Sequence, residues 1–245
     1  MGNVYGGGWA QKGGNSTVGD VNITISGGTV VNVFGSGSHS TSSGSTSTGD
    51  ITITVSGGDV TGAIYARGNL DGDTTGAVEV IFTGSNDYSC GVFGYSYASG
   101  EAGDAAFGFS DYTGDFSGDI GGFSGIMFDG LTAMTLATDN VSNGKWEFDL
   151  TDRIATLAGT SLLTWNNADF EGDTIKVSFA DDAQAQGEWN IATVVEAFDG
   201  TIFEVTIDDA EIATGLAYNQ KISDGDYAGW GFELESGVLK FKQLA

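Results

Sequence analysis

The sequence has 245 residues, 40% of them hydrophobic, with 41 Gly, no Pro and a formal net charge of -25. That hydrophobic share excludes a disordered chain, and abundant Gly without Pro excludes collagen-like or polyproline structure while calling for many tight turns. The charge argues against nucleic acid or anionic membrane as partners, since both would be repelled.

The chain opens Met1-Gly2-Asn3-Val4-Tyr5, without the basic stretch and apolar region of a signal peptide, and enters its repeat in mid-phrase. The expectation is a fragment cut from a longer protein, with an added Met1. Cys90 is the single cysteine, so no internal disulfide forms. No apolar run approaches the roughly 20 residues of a membrane-spanning helix, and the chain is read as not itself membrane-spanning.

Internal repetition organises the first half. Gly19-Asp20-Val21-Asn22-Ile23-Thr24-Ile25-Ser26-Gly27-Gly28 returns as Gly49-Asp50-Ile51-Thr52-Ile53-Thr54-Val55-Ser56-Gly57-Gly58, and more loosely as Gly76-Ala77-Val78-Glu79-Val80-Ile81-Phe82-Thr83-Gly84. A second phrase recurs as Asn3-Val4-Tyr5-Gly6, Asn32-Val33-Phe34-Gly35, Ala63-Ile64-Tyr65-Ala66 and Gly91-Val92-Phe93-Gly94, at spacings of 29, 31 and 28 residues. Val21, Ile23 and Ile25 alternate with Asn22 and Thr24, the period-two pattern of a strand with one buried face. Ser-Gly-Gly then supplies a turn in which Gly adopts positive φ without steric cost.

Strand-and-turn units of about 28–30 residues predict an all-β fold, a parallel β-helix or β-solenoid, with like residues stacked in successive coils at ~4.8 Å. Val21, Ile51 and Val78 form one expected column; Ile23, Ile53 and Val80 a second; Ile25, Val55 and Phe82 a third. Tyr5, Phe34, Tyr65 and Phe93 form a neighbouring aromatic row. A propeller or a sandwich of hairpins is the competing architecture.

Composition changes near residue 125: residues 1–125 hold 30 of the 41 Gly, and 126–245 hold 11. Residues 1–125 are therefore read as repeat coils. Residues 126–245 are read as irregular coils followed by a β cap, with a separate sandwich domain as the alternative. Trp146–Leu150, Ile175–Phe179 and Ile202–Ile207 alternate as strands, and Ile154–Leu163 alone has a weak helical pattern. Trp230–Glu235 and Val238–Phe241, joined by Ser236-Gly237, read as a closing hairpin.

The phrases Asn3-Val4-Tyr5-Gly6-Gly7-Gly8 and Ser26-Gly27-Gly28-Thr29-Val30 resemble Gly-rich passenger regions of autotransporter-type and adhesin-like bacterial surface proteins. Gly187-Glu188-Trp189-Asn190-Ile191-Ala192-Thr193 and the terminal Trp230…Phe232…Leu234…Gly237-Val238-Leu239 are similar to the segment closing such passengers before a membrane barrel. The resemblance implies export, display at the bacterial cell surface, and a stalk or adhesive role towards a host or environmental glycan or protein.

His39, the only histidine, sits in the Ser/Gly/Thr-rich run 36–48 and has no oriented catalytic partner in sequence. Arg67 with Asp71 and Asp73 is the best version of a polysaccharide lyase or hydrolase site, but only Arg153 supplies a second arginine. Asp71-Gly72-Asp73 and Asp115-Phe116-Ser117-Gly118-Asp119 offer oxygens to calcium without matching an EF-hand spacing. One His and one Cys cannot furnish an ordinary zinc site. Cys90 reads as a small buried residue. The pairs Asn22/Thr24 and Thr52/Thr54 resemble an ice-binding array, but Glu79 and Ile81 break it. Tyr95, Tyr97, Tyr112 and Trp165 are candidate surface aromatics for stacking on sugar rings.

The sequence thus points to a non-catalytic extracellular surface protein, with no catalytic residue, no metal ligand and no cofactor assigned. Its rivals are a carbohydrate-active β-helix enzyme and a calcium-dependent glycan-binding module.

Overall fold

The computed structural model describes residues 2–10, 14–39, 46–69, 73–74, 76–97, 104–130, 133–138, 141–142, 145–152, 158–166, 168–180, 187–195 and 198–245. The chain is an all-β solenoid built of parallel sheets, with no helix among the described residues. It divides into two compact units, residues 1–108 with 114–125 and 140–143, and residues 109–113 with 126–139 and 144–245.

In the first unit, strands Val21–Val30, Ile51–Val60 and Val78–Gly84 lie side by side in parallel. Val21 pairs with Ile51 and Ile51 with Val78; Ile23, Ile53 and Val80 form the next column, and Ile25, Val55 and Phe82 the third. All nine side chains are buried, while Asn22 and Thr24 are exposed and Thr52, Thr54, Glu79 and Ile81 half-buried. The predicted coil period, register and facing are all present. The Ser-Gly-Gly segment differs from a simple turn. Gly28 and Gly58 take φ 75° and 77° inside the ten-residue strands Val21–Val30 and Ile51–Val60, whose mutual register shifts between Ile25 and Thr29, so the segment stays within the sheet.

A second wall carries Val4–Tyr5, Val33–Phe34, Ala63–Tyr65, Gly91–Phe93, Ile120–Gly121 and Val141–Ser142, with adjacent strands parallel throughout. A third carries Ser16–Thr17, Thr46–Thr48 and Asp73–Thr74. Side chains bolt one coil to the next at the corners. Asp20 Oδ1 accepts from the Asp50 amide, Asp50 Oδ1 from the Ala77 amide, and Asn32 Oδ1 from the Ala63 amide. Such bonds satisfy amides where the ladder turns. At Gly35 a Cβ would overlap the Ala66 carbonyl oxygen of the next coil, so glycine sets how closely the coils approach there.

In the second unit the composition changes but the ladder does not. Lys145–Leu150, Thr174–Phe179 and Ile202–Ile207 pair in parallel without a shift. Trp146 aligns with Ile175 and Phe203, Phe148 with Val177 and Val205, and Leu150 with Phe179 and Ile207, all buried. The coils expected to be irregular after residue 125 are therefore regular here, with unlike apolar residues sharing each column. The weak helical pattern at Ile154–Leu163 forms no helix where it is described. Ala158–Gly159 is a turn and Leu163 starts a strand, while Ile154–Leu157 lie outside the described residues.

Antiparallel strands end this unit. Ala210–Ala217 pairs with Ile202–Ile207, and Trp230–Glu235 with Val238–Gln243, which also pairs with Glu188–Val194. Ser236 and Gly237, at φ 53° and 78°, close the expected hairpin with the two positive φ values a tight turn of the right twist needs.

Ile53 sits wholly inside its column between Ile23 and Val80. Ile53→Asp buries a carboxylate without a partner and is expected to cost about 3 kcal/mol or more, whereas Thr54→Asp on the outer face costs little. Thermal melts of the two variants check this; equal losses would contradict the facing of the strand.

Candidate functional site

The aromatic row stands on the outer face of the second wall of the first unit. Along each of its strands Val33, Ile64, Val92 and Ile120 turn inward and are buried, so the period-two pleat turns the next residue outward. Tyr5 therefore stacks on Phe34 at 4.8 Å between ring centroids, Phe34 on Tyr65 at 5.4 Å and Tyr65 on Phe93 at 5.4 Å, with interplanar angles of 12°, 9° and 27°. Tyr95 extends the column, stacked on Phe93 at 5.1 Å. Gly121 aligns with Phe93 on the next coil, and a Cβ at Gly122 would collide with the Tyr95 ring, so these glycines leave Tyr95 its place.

Tyr97 lies edge-on against Phe34 and Tyr65 at 6.4 and 5.2 Å. The strip is open at its ends: Tyr97 is 61% exposed and Tyr5 40%, Tyr65, Phe93 and Tyr95 are half-buried, and Phe34 is buried beneath its neighbours. The hydroxyls of this strip influence one another. Burial, then Tyr97 and Tyr95, hold the Tyr65 phenol above its ordinary value; burial, then Asp119, do the same for Tyr95. The Tyr65 and Tyr95 phenols thus stay neutral at physiological pH, and the Tyr5 hydroxyl accepts from Asn3 Nδ2. The strip is an aromatic floor edged by hydroxyls and an amide, with the Asp119 carboxylate beside Tyr95.

Of the four candidate surface aromatics, Tyr97 is exposed and Tyr95 half-buried, both in this strip. Tyr112 and Trp165 are corrected: both are buried, Tyr112 against Phe109 and Trp165 with its indole N–H donated to the Thr138 carbonyl. A polar handle that finds a partner inside lets a large ring join the core.

The Arg67 loop is taken up by structure where it is described. Arg67 donates from Nε to the Gly94 carbonyl and from Nη2 to the Asp104 carbonyl. Asp71, Gly72 and Arg153 lie outside the described residues, and Asp73 opens the short strand Asp73–Thr74. His39 ends the strand Ser38–His39, which pairs with Trp9–Ala10. In the Asp115–Asp119 segment the two aspartates are exposed, Phe116 is buried between them, and the Asp115 amide donates to Asp87 Oδ1. Among the described residues no group of three or more His, Cys, Asp or Glu is placed to hold a metal ion.

Two acidic features belong to the second unit. A cleft of about 460 Å³ is lined by Asp208, Glu211, Asp224, Asp226 and Tyr227, with no Lys, Arg or His in its lining. Separately, Asp129 aligns with Asp149 on the next coil and accepts from Ser110 Oγ at 3.1 Å. Burial foremost, with Asp149, Asp111 and Asp152 around it, holds its carboxyl above the ordinary value of 3.8, against the lowering hydrogen bond from Ser110.

Cys90 is buried, and burial pushes its thiol up to about 12. No protein-family model matches this chain, and neither a curated protein nor a solved structure does.

Two measurements follow from these titrating groups. A carboxyl raised on folding costs nothing below pH 3.8, where both states are protonated, and destabilises the fold as the pH rises through the higher folded value. Asp129→Asn should therefore raise the melting temperature at pH 7, with the gain fading as the pH falls through the acid range; a gain that persisted in acid would contradict the electrostatic cause. Cys90 is expected to resist a thiol reagent in the native state at pH 8 and to react stoichiometrically once unfolded; fast native labelling would contradict its burial.

Proposed function

We propose that this chain is a non-catalytic extracellular surface protein, an adhesin-like or structural stalk, whose aromatic strip binds neutral glycan. The observation that carries this reading is the outer column Tyr5–Phe34–Tyr65–Phe93–Tyr95 with Tyr97 laid against it. Tyrosine combines an apolar ring with a hydroxyl, which suits a ligand whose own surface alternates C–H patches and hydroxyl groups. The rings of Tyr5, Phe34, Tyr65 and Phe93 are held by the solenoid's own strands, so little side-chain entropy is lost there on binding. Neutral glycans are favoured over acidic ones because the chain's charge of -25 repels polyanions. The Gly-rich phrases and their resemblance to surface passengers support the extracellular placement.

Binding of neutral polysaccharides is measured by affinity electrophoresis and calorimetry. Tyr97→Ala and Tyr5→Ala are each expected to weaken binding by about tenfold, in line with the loss of one stacking contact, while circular dichroism stays unchanged. Tyr97→Phe should retain most of the affinity. Undiminished binding by both alanine variants would displace the site from the strip, and loss of binding on adding a chelator would favour the calcium-dependent module. Release of new reducing or unsaturated ends from any glycan would make the protein an enzyme.

A further inference from the structure

Two tyrosines of the first unit meet ring to ring. Tyr65 ends the strand Ala63–Tyr65, whose pairing with Gly91–Phe93 sets Phe93 on one face of its ring, while Phe34 of the preceding coil covers the other. With both faces taken, Tyr65 meets Tyr97 through its edge: the centroids are 5.2 Å apart and the planes stand at 83°. The Tyr97 backbone is held there by its own amide, which donates to the Gly68 carbonyl of the preceding coil at 3.1 Å. The phenol ends converge too. Burial foremost, then Tyr97 and Tyr95, hold the Tyr65 phenol above its ordinary value, and the influence of one phenol oxygen on another falls away with distance.

Exposure decides which groups an oxidant from solvent meets first. The single cysteine, Cys90, is 2% exposed with its thiol pushed up to about 12, and a buried neutral thiol is slow to oxidise. Met134, Trp146, Trp165 and Trp189 are buried as well. Tyr5, Trp9 and Tyr97 are the large rings exposed in the first unit, and of these Tyr97 touches a second phenol. Oxidised phenols couple through the ring carbons flanking the hydroxyl, which lie on the ring edge. The edge contact of Tyr65 with Tyr97 and the nearness of their hydroxyls bring those carbons together.

We propose that Tyr65 and Tyr97 are an oxidative cross-linking site, at which a haem peroxidase with hydrogen peroxide joins the two rings as dityrosine and staples the third coil to the fourth. The peroxidase takes one electron from exposed Tyr97, whose phenol proton goes to water. The Tyr97 radical draws an electron from Tyr65 across the ring contact and regains a proton, and Tyr97 is then oxidised a second time. The two radicals combine to form one carbon–carbon bond between the ring edges. Each joined carbon gives up its hydrogen as a proton and each phenol oxygen takes one back, which restores both aromatic rings. In sum two tyrosines lose two hydrogens, and one peroxide is reduced to two waters. This site does not rest on the glycan reading, and its test uses no glycan.

The full native chain, dilute enough to disfavour links between copies, is treated with a haem peroxidase and hydrogen peroxide. Dityrosine fluorescence, denaturing gels and mass spectrometry of the digest are then read together. The expected product is a chain of unchanged length carrying one dityrosine, in a peptide pair that joins Tyr65 to Tyr97. Tyr65→Phe and Tyr97→Phe keep the rings and their contacts, so both variants fold, and each is expected to abolish that product; Tyr5→Phe leaves it unchanged. The linked chain melts at a higher temperature than the untreated one, because a covalent bond spanning a coil restricts the unfolded chain. A native chain that yields no internal dityrosine overturns the proposal. So does an internal link that survives either Tyr65→Phe or Tyr97→Phe, coupling found only between copies, or a linked chain whose melting temperature does not rise.

Discussion

Everything in this molecule depends on the hydrogen-bonded spacing between parallel strands, about 4.8 Å, repeated coil upon coil. At that spacing a side chain has the equivalent residue of the next coil as its nearest neighbour, so a column takes apolar residues, like or unlike, that pack closely on one another. β-Branched residues do so in the columns headed by Val21, Ile23 and Ile25. Flat rings do so as well: the centroid separations of 4.8 to 5.4 Å in the Tyr5 column are the strand spacing with a small offset, within the range aromatic pairs prefer. The same spacing leaves no room for a Cβ at Gly35, and brings the Asp20 and Asp50 carboxylates within reach of the following coil's amides.

Where a column repeats like residues, the fold is legible in the sequence. Two near-identical decapeptides thirty residues apart defined the strand, its facing and its register. The aromatic floor was legible for the same reason, through the recurrence of Tyr5, Phe34, Tyr65 and Phe93. Tyr95 and Tyr97 were not placed in it, because they follow their strand and come to the column through a turn, beside glycines whose role shows only in three dimensions. After residue 125 the backbone keeps its period while Trp146, Ile175 and Phe203 share one column. No residue-by-residue comparison shows that equivalence, since what is retained is bulk and burial. Tyr112 and Trp165 misled through chemistry: a polar atom on a large ring resembles a surface residue until its partner is known.

The distribution of charge separates inside from outside more sharply than composition does. Among the described residues no Asp, Glu, Lys or Arg is buried; the buried polar side chains are Ser and Thr. The acidic excess is therefore borne on the outer surface, where salt screens it over roughly 8–10 Å. Its few cations are placed to local effect. Lys240 and Lys242 bridge Glu188, Glu233 and Glu235 across the closing strands at 2.8–3.3 Å. Individually such exposed pairs contribute little; together they tie Val238–Gln243 to its neighbours on both sides, Glu188–Val194 and Trp230–Glu235.

The coil period also has a mechanical meaning. Each coil is held chiefly by the one before and the one after it, and the corner bonds from Asp20 to Asp50 and from Asp50 to Ala77 are links between successive coils. A load that peels the chain from one end meets these links one coil at a time. Each coil released then frees about 30 residues, or roughly 100 Å of extended chain. A solenoid built in this way lengthens in steps and keeps its remaining coils folded while the end coil is drawn out.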